Sequence, residues 1–149
     1  MIHIEEDDEV KIKNRLYAGE ASIVILINPE NKVLLHLRDD IPNIIYPGYW
    51  TVPGGMKEHG ETPEEAAQRE VKEEIGYDVS HLTLYATTID SNGRNELVSV
   101  FYGKIDKNLM ELQINEGTDL QFFSPDEIKT LKIIPFVKRT LISYLKKTP

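Results

Sequence analysis

Three glutamates, Glu70, Glu73 and Glu74, have types and spacing that could carry chemistry. Each residue of an α-helix turns by about 100°, so a helix would place the three carboxylates on one face. Such like charges repel one another, and a bound divalent cation would reverse the sign of that interaction. Mg²⁺ prefers oxygen ligands and is commonly held by one or two carboxylates together with substrate phosphates. The pattern therefore indicates a Mg²⁺ site for a phosphorylated substrate, with a solvated acidic helix as the alternative.

The segment around these glutamates has the signals of a helix that begins and ends at definite residues. Thr62 can cap the first turn, Pro63 suits the first helical position, and Glu65 completes a capping box. Gly76 supplies a stop. The apolar stripe of this helix lies beside the acidic face, so we expect the carboxylates to be partly shielded from water. Just before the helix, Gly54 and Gly55 would let the backbone approach ions or phosphates closely.

Short runs rich in Ile, Val, Leu and aromatic residues predict a sheet around this helix. The predicted strands are residues 21–27, 32–37, 82–89, 97–105 and 120–123, with a brief extended segment at 50–52. Turn chemistry at 28–31 predicts that the first two strands form an antiparallel hairpin, and a turn is expected at 91–94. A short helix should begin after Ser124 and a last one at Pro135. Alternating strands and helices with a hairpin imply an α/β fold with a mixed sheet between helices.

Composition limits the functions that remain. The chain has 149 residues, the size of one domain, and we expect a single domain over residues 1–149. Its formal net charge is −8, and residues 5–9 are all acidic, so we expect no long nucleic acid and no anionic membrane as partner. No cysteine is present, which excludes disulfides, thiolate zinc sites and thiol nucleophiles. The longest apolar run, residues 21–27, is too short to span a membrane, and an acidic start favours a cytoplasmic protein.

A longer spacing joins these residues into one motif. Gly55 is followed by five residues, Glu61, seven residues, and then Arg69 to Tyr77. This motif resembles the signature box of the Nudix hydrolases, a family that cleaves nucleoside diphosphates linked to another moiety. Every charged and glycine position is filled, Gly76 included, and Tyr77 departs from the aliphatic residue of the family pattern. The surrounding strands, the lead-in at 50–55 and the final helix extend the resemblance over most of the chain, and it implies an α/β/α sandwich.

The resemblance also implies roles for the residues of the box. Glu73 and Glu74 would bind the divalent ions, with Mg²⁺ as the ion and Mn²⁺ as a substitute. Glu70 would lie in the same metal cluster and act as base for the attacking water, so that it forms the catalytic group together with Glu73 and Arg69. Arg69 would hold the loop-to-helix geometry by pairing with a carboxylate, for which we expect Glu61.

Further ligands are expected outside the helix. The carbonyl of Gly54 would complete the coordination, and Gly55 would be structural. Glu116, followed by a glycine, resembles the distal Glu-Gly of family members that cleave oxidised guanine triphosphates, in which this glutamate is a metal ligand. The alternative for Glu116 is a simple turn. Glu96 and Glu116 also remain alternatives to Glu70 as the base.

Candidate substrate contacts lie on the predicted loop 38–47 and the segment after it. Arg38 could meet a phosphate, as a basic residue near here does in similar proteins, or pair with Asp39 or Asp40. The aromatic residues could stack on a base or sugar, or could serve only in packing; they are Tyr46, Tyr49 and Trp50. His36 and His59 are isolated, and we treat both as ordinary residues.

The expected function is Mg²⁺-dependent hydrolysis of a small nucleotide. The absence of cysteine disfavours the family members with a zinc ribbon and the related isoprenoid isomerases. The stretch 90–96 lacks the Pro or Tyr typical of branches that act on ADP-ribose or dinucleoside polyphosphates. A small hydrolase similar to MutT, acting on a normal or oxidised nucleoside triphosphate, is favoured. The alternatives are a nucleotide-sugar or ADP-ribose pyrophosphatase, a non-catalytic nucleotide-binding module, and an acidic metal-buffering protein.

Overall fold

Four helices and a seven-stranded sheet make up the computed structural model, which describes residues 6–90 and 93–147. The strands are β1 (Gly19–Ile27), β2 (Val33–Leu37), β3 (Trp50–Thr51), β4 (Gly54–Met56), β5 (Thr83–Ile89), β6 (Glu96–Lys104) and β7 (Asp119–Phe123). The helices are α1 (Glu6–Lys13), α2 (Pro63–Ile75), α3 (Pro125–Thr130) and α4 (Pro135–Lys147), with a short 3₁₀ turn at Leu109–Glu111.

The sheet is mixed, as the sequence predicts. Its strand order is β3-β2-β1-β6-β5, with β4 paired to β1 and β7 paired to β2. β1 and β6 run parallel over their whole length, from Gly19 opposite Glu96 to Ile27 opposite Lys104. β1 and β2 pair in the antiparallel sense, which confirms the predicted hairpin. β1 is therefore the strand to which the rest of the sheet is attached.

Helices cover both faces of the sheet. One core layer joins α2 to alternate residues of the central strands, and it includes Val24, Leu26, Leu34, Ala67 and Val71. The opposite layer joins α3 and α4 to the intervening residues, and it includes Ile23, Ile25, Leu35, Ile128 and Leu141. Because successive strand side chains point to opposite faces, both layers draw on the same strands. The α/β/α sandwich is confirmed.

α2 begins and ends where its sequence indicates. The Thr62 side chain accepts a hydrogen bond from the Glu65 amide at 3.1 Å, and the Glu65 carboxylate accepts one from the Thr62 amide at 2.9 Å. At the other end Gly76 adopts a left-handed conformation, with φ of 71°, and its N–H donates to the Lys72 carbonyl. A cap of this kind stabilises a helix by about 1 kcal/mol. The helix that carries the glutamates is thus defined locally at both ends.

One α-helix and one strand are absent from the sequence-based prediction, as is the 3₁₀ turn. α1 occupies part of the acidic run at residues 5–9, of which Glu5 lies outside the described residues. Its docking depends on Asp8, a buried carboxylate that accepts hydrogen bonds from Thr88 Oγ1 at 2.7 Å and the Ile89 amide at 3.0 Å. β4 contains two glycines and pairs with residues 21–23 of β1. Of the predicted turn at 91–94, residues 91 and 92 lie outside the described part.

Within the described ranges, no helix combines the length and the apolar character needed to cross a membrane.

Candidate metal centre and active site

Three carboxylates converge where α2 faces the sheet. Oxygen atoms of Glu70, Glu74 and Glu116 all lie within 4.8 Å of one another. Glu70 and Glu74 are one turn apart on α2, whereas Glu116 arrives from the loop before β7. Only 4% of the Glu74 side chain and 14% of the Glu70 side chain are exposed, while Glu116 is exposed. An all-oxygen set of this kind is what a hard divalent cation prefers.

The electrostatics of the cluster favour a bound cation. Burial raises the pKa of Glu74 far above its ordinary value, and the neighbouring Glu116 and Glu70 carboxylates raise it further. Burial also raises the pKa of Glu70, with the Arg69 guanidinium opposing the shift. Both shifts show that an ionised carboxylate is unfavourable at this partly buried place, chiefly because burial removes it from water. A divalent cation would make the ionised form of all three carboxylates favourable, so the residues present fit such an ion.

Glu74 is held by polar neighbours from two strands. The Gly54 amide donates to both of its carboxylate oxygens at 3.3 Å, and His36 Nε2 lies 3.7 Å from Oε2. His36 is 5% exposed, and burial lowers its pKa, which favours the neutral ring. Its Nδ1 has no hydrogen-bond partner among the described residues. From the sequence His36 was expected to be an ordinary residue, and its place beside Glu74 follows from the pairing of strands, which the spacing of residues does not reveal.

The two glycines of β4 permit the close approach of α2. A Cβ atom on Gly55 would lie 2.6 Å from the carboxyl carbon of Glu70. A Cβ atom on Gly54 would lie 2.7 Å from the Cα of Ile23 and would also meet the Ser22 carbonyl oxygen. Real Cβ atoms do not approach other atoms this closely. Gly54 therefore requires glycine, because its Cβ would meet backbone atoms, whereas a Cβ on Gly55 would displace the end of the Glu70 side chain. The Glu70 carboxylate therefore rests directly on the backbone of β4.

Arg69 ties the loop before α2 to the carboxylate cluster. It binds Glu61 with two hydrogen bonds, Nε to Oε2 at 2.7 Å and Nη2 to Oε1 at 3.1 Å. Its Nη1 donates to Glu70 at 2.9 Å and to Glu73 at 3.2 Å, and its Nη2 donates to the Met56 carbonyl at 2.9 Å. This is the Arg69–Glu61 pair that the resemblance implies. A planar guanidinium suits such a set of acceptors, and it fixes the Glu70 side chain from one side.

Glu73 does not join the cluster. Its side chain is 57% exposed and contacts Arg69. The expectation that all three helix carboxylates are shielded is therefore wrong for Glu73. The reason is geometric, because Glu73 and Glu74 point about 100° apart around the helix and only Glu74 turns toward the strands. The metal-binding roles of Glu73 and of the Gly54 carbonyl stay predictions.

The candidate substrate contacts have structural partners. Arg38 Nε donates to the Ile45 carbonyl at 2.9 Å, which holds the loop after β2. Trp50 packs edge-to-face on Phe123 with ring centroids 4.9 Å apart, and Tyr46 packs in the same manner on Tyr49 at 5.3 Å. These contacts are of the packing kind, and the substrate-binding roles of the three residues stay predictions.

Glu96 lies away from the cluster. It begins β6 on the same side of the strand as Val98 and Val100, which pack in the layer of α3 and α4. Glu70 and Glu74 lie in the layer of α2, on the other side of the sheet. Of the three glutamates considered as base, only Glu70 and Glu116 are therefore within the cluster.

Comparison with known proteins identifies the family. The model of the NUDIX domain matches residues 17–145. A Bacillus subtilis protein provisionally named an 8-oxo-dGTP diphosphatase is 30% identical over 82% of this chain and 76% of its own length. An ADP-ribose pyrophosphatase of Methanocaldococcus jannaschii is 38% identical over 60% of this chain and 53% of its own length.

The fold agrees with a solved structure. The crystal structure of a MutT protein from Methanosarcina mazei superposes with a TM-score of 0.70, covering 87% of this chain and 96% of the other at 18% identity. That likeness concerns the fold, whereas the match to the domain model extends over most of the sequence. The chain belongs to the Nudix family as a MutT-like member, and it is a pyrophosphohydrolase that acts on nucleotide-linked substrates.

Proposed function

We propose that this enzyme hydrolyses a nucleoside triphosphate, normal or oxidised, to the monophosphate and pyrophosphate, with Mg²⁺ as cofactor and Mn²⁺ as a substitute. The observation that carries the proposal is the convergence of Glu70, Glu74 and Glu116 in a partly buried cluster. Among the described residues, the basic side chain found beside Glu74 is His36, whose pKa is lowered by burial, and a divalent ion would neutralise Glu74 while also binding phosphate oxygens.

The residues of the cluster divide the work. Glu74 and Glu116 would hold the ion, and Glu70 would share in holding it and accept the proton of the attacking water. When bound, the ion lowers the pKa of coordinated water and neutralises charge on the phosphate oxygens. Arg69 orients Glu70 through the 2.9 Å hydrogen bond, and the Gly55 backbone prevents Glu70 from moving toward the sheet. Glu70 is thus placed on a rigid helix before substrate binds, which favours it as the base.

The substrate is proposed from the relatives. The Bacillus subtilis relative, which is named for 8-oxo-dGTP, aligns with 82% of this chain, whereas the ADP-ribose pyrophosphatase aligns with 60%. The wider coverage favours a triphosphate. The archaeal ADP-ribose pyrophosphatase has the higher sequence identity, 38%, which keeps ADP-ribose as the second candidate substrate, followed by nucleotide sugars.

A substrate panel tests the proposal. The wild-type protein would be incubated with 8-oxo-dGTP, the normal nucleoside triphosphates, ADP-ribose and nucleotide sugars, each with Mg²⁺, Mn²⁺ or EDTA, and the products would be separated by chromatography. We expect Mg²⁺-dependent release of pyrophosphate from a triphosphate. Glu74→Gln should abolish the turnover, and Glu64→Gln, an exposed glutamate of the first turn of α2, should not. Binding of a nucleotide without cleavage under any metal condition would instead indicate a non-catalytic module.

A further inference from the structure

The C-terminal end of α2 is capped by a segment that is distant in sequence. A helix leaves its last four carbonyl groups without partners inside the helix. In α2 the Lys72 carbonyl is satisfied locally, by the Gly76 amide at 3.0 Å. The carbonyls of Glu73, Glu74 and Ile75 instead accept hydrogen bonds from residues 113–115. We name residues 113–118 the strap.

Asn115 makes most of these contacts. Its backbone amide donates to the Glu74 carbonyl at 2.9 Å, and its side-chain Nδ2 donates to the Glu73 carbonyl at 2.9 Å. The same Nδ2 donates to Gln113 Oε1 at 2.9 Å, and the Gln113 amide donates to the Ile75 carbonyl at 3.0 Å. Asn115 therefore bridges the backbone of the last helical turn and stiffens the strap itself.

The other end of the strap is fastened to β2. The Thr118 amide donates to the Leu37 carbonyl at 2.9 Å. Gly117 adopts a left-handed φ of 83°, and a Cβ atom there would meet the Leu37 carbonyl oxygen and lie 3.2 Å from His36 Nδ1. Glu116, the residue between these two anchors, carries the carboxylate that joins Glu70 and Glu74. Its own side chain is exposed, so its position depends on the backbone on either side.

We propose that Asn115 is the positioning residue that holds Glu116 in the cluster, and that divalent-cation affinity depends on this strap-to-helix contact. The inference rests on the proposed function, because it assumes that the cluster binds a metal ion. Without the Asn115 side chain the strap loses its bond to the Glu73 carbonyl, and Glu116 can move away from a cluster that repels it. A partner of a metal ligand typically contributes a factor of about 10 to 100 in metal affinity.

The experiment measures Mn²⁺ dissociation constants by calorimetry for the wild type, Asn115→Ala, Glu116→Gln and the double variant. We expect Asn115→Ala to weaken Mn²⁺ binding about tenfold or more. We also expect the double variant to bind no more weakly than Glu116→Gln alone, because the two residues act through one contact. Asn115→Leu keeps a similar size and the backbone donor but has no side-chain donor for the Glu73 carbonyl and adds no charge beside the cluster, so it should behave like Asn115→Ala, and it replaces that variant if the latter fails to fold.

Asn108→Ala is the matched control. Asn108 caps the 3₁₀ turn before the strap by accepting from the Met110 amide at 3.1 Å, and its loss should leave Mn²⁺ affinity unchanged. Folded Asn115 variants with Mn²⁺ affinity within twofold of wild type would overturn the inference. It would also be overturned if the double variant weakened Mn²⁺ binding by the product of the two single-variant factors. If Asn115 only stabilised the fold, its variants would lower the melting temperature, and their effect on Mn²⁺ affinity would not depend on Glu116. Failure of the wild type to bind Mn²⁺ at all would overturn the proposed metal site and this inference together. Glu74→Gln is therefore measured as well. If it loses Mn²⁺ binding while the Asn115 and Glu116 variants keep wild-type affinity, the metal site stands and only this inference is overturned.

Discussion

Glu74 combines deep burial with a carboxylate, and this combination makes its contribution to the stability of the metal-free protein depend on pH. Its pKa is raised in the folded state, so the folded protein holds a proton that the unfolded chain releases. The contribution of Glu74 to stability is therefore intact below the unfolded pKa, near 4.5, and is lost as pH rises toward the folded pKa. Acidic solution should thus favour the metal-free fold at this residue.

Glu74→Gln should remove this pH dependence. The amide keeps the volume and an acceptor for the Gly54 N–H, and it carries no charge. In EDTA at pH 8 we expect Glu74→Gln to melt a few degrees above the wild type, since about 1 kcal/mol corresponds to about 2–4 °C in a chain of this size. At pH 4 the two should melt nearly together. Thermal unfolding followed by circular dichroism checks this, and a variant that melts below the wild type at pH 8 would show that the Glu74 charge is not unfavourable.

The identity of the base is a second question at the scale of single residues. Glu70 is fixed by Arg69 and by the Gly55 backbone, whereas Glu116 lies on an exposed strap and Glu96 faces the other layer. We expect Glu70→Gln to lower kcat by about 100-fold to 10,000-fold with a smaller change in KM. Glu116→Gln should act mainly through the Mg²⁺ dependence, and Glu96→Gln should stay near wild type.

Steady-state kinetics at several Mg²⁺ concentrations separate these roles. If Glu116→Gln or Glu96→Gln shows the largest loss of kcat and Glu70→Gln is mild, the base lies outside α2 and the assignment is wrong.

At the scale of elements, the contact between β4 and α2 carries the geometry of the site. Gly55→Ala would place a methyl group where the Glu70 carboxylate now lies, 2.6 Å from its carbon. We expect the protein to fold and kcat to fall at least tenfold, because misplacing a catalytic group by about 1 Å can cost about 100-fold. Gly19→Ala is the control, since its Cβ would meet the flexible end of Met56 at 3.1 Å and would lie in ordinary contact with the Glu96 carboxylate at 4.0 Å. Equal kcat for Gly55→Ala and Gly19→Ala would contradict this view of the contact.

The elements also show which parts of the fold could be predicted. α2 was predicted correctly because its capping box and stop glycine act within a few residues. The central strands were predicted because their apolar runs are strong local signals. α1 and β4 were missed because each is stabilised by contacts with distant residues. Asp8 of α1 accepts a hydrogen bond from Thr88 of β5, and β4 pairs with β1. Two successive glycines argue against a strand on propensity alone, and they occur in β4 because β1 and α2 approach its backbone closely.

At the scale of the whole molecule, topology assembles the site from separate stretches of sequence. Spacing along α2 predicted Glu70 and Glu74 and could not show that Glu73 turns outward, because the rotation of the helix against the sheet depends on packing. Glu116 was named through a family resemblance, and its place in the cluster depends on the strap meeting both α2 and β2. His36 enters through the pairing of strands, which periodicity does not reveal. Chemistry carried by one helix is thus readable from sequence, whereas chemistry completed across the sheet is not.

A metal ion that bridges these stretches should stabilise the whole fold. The proposed ligands come from α2 and from the strap, so an ion that binds the folded state alone would shift the unfolding equilibrium. At a free concentration of about 100 times the dissociation constant the gain is about 2.7 kcal/mol, and we expect Mg²⁺ or Mn²⁺ to raise the melting temperature of the wild type by about 5–10 °C over EDTA. Because a net charge of −8 makes the fold sensitive to ionic strength, NaCl at matched ionic strength is the control. The increase should be lost in Glu74→Gln and retained in Glu64→Gln, and an equal increase in all three proteins would mean that the cation screens the surface rather than occupying this cluster.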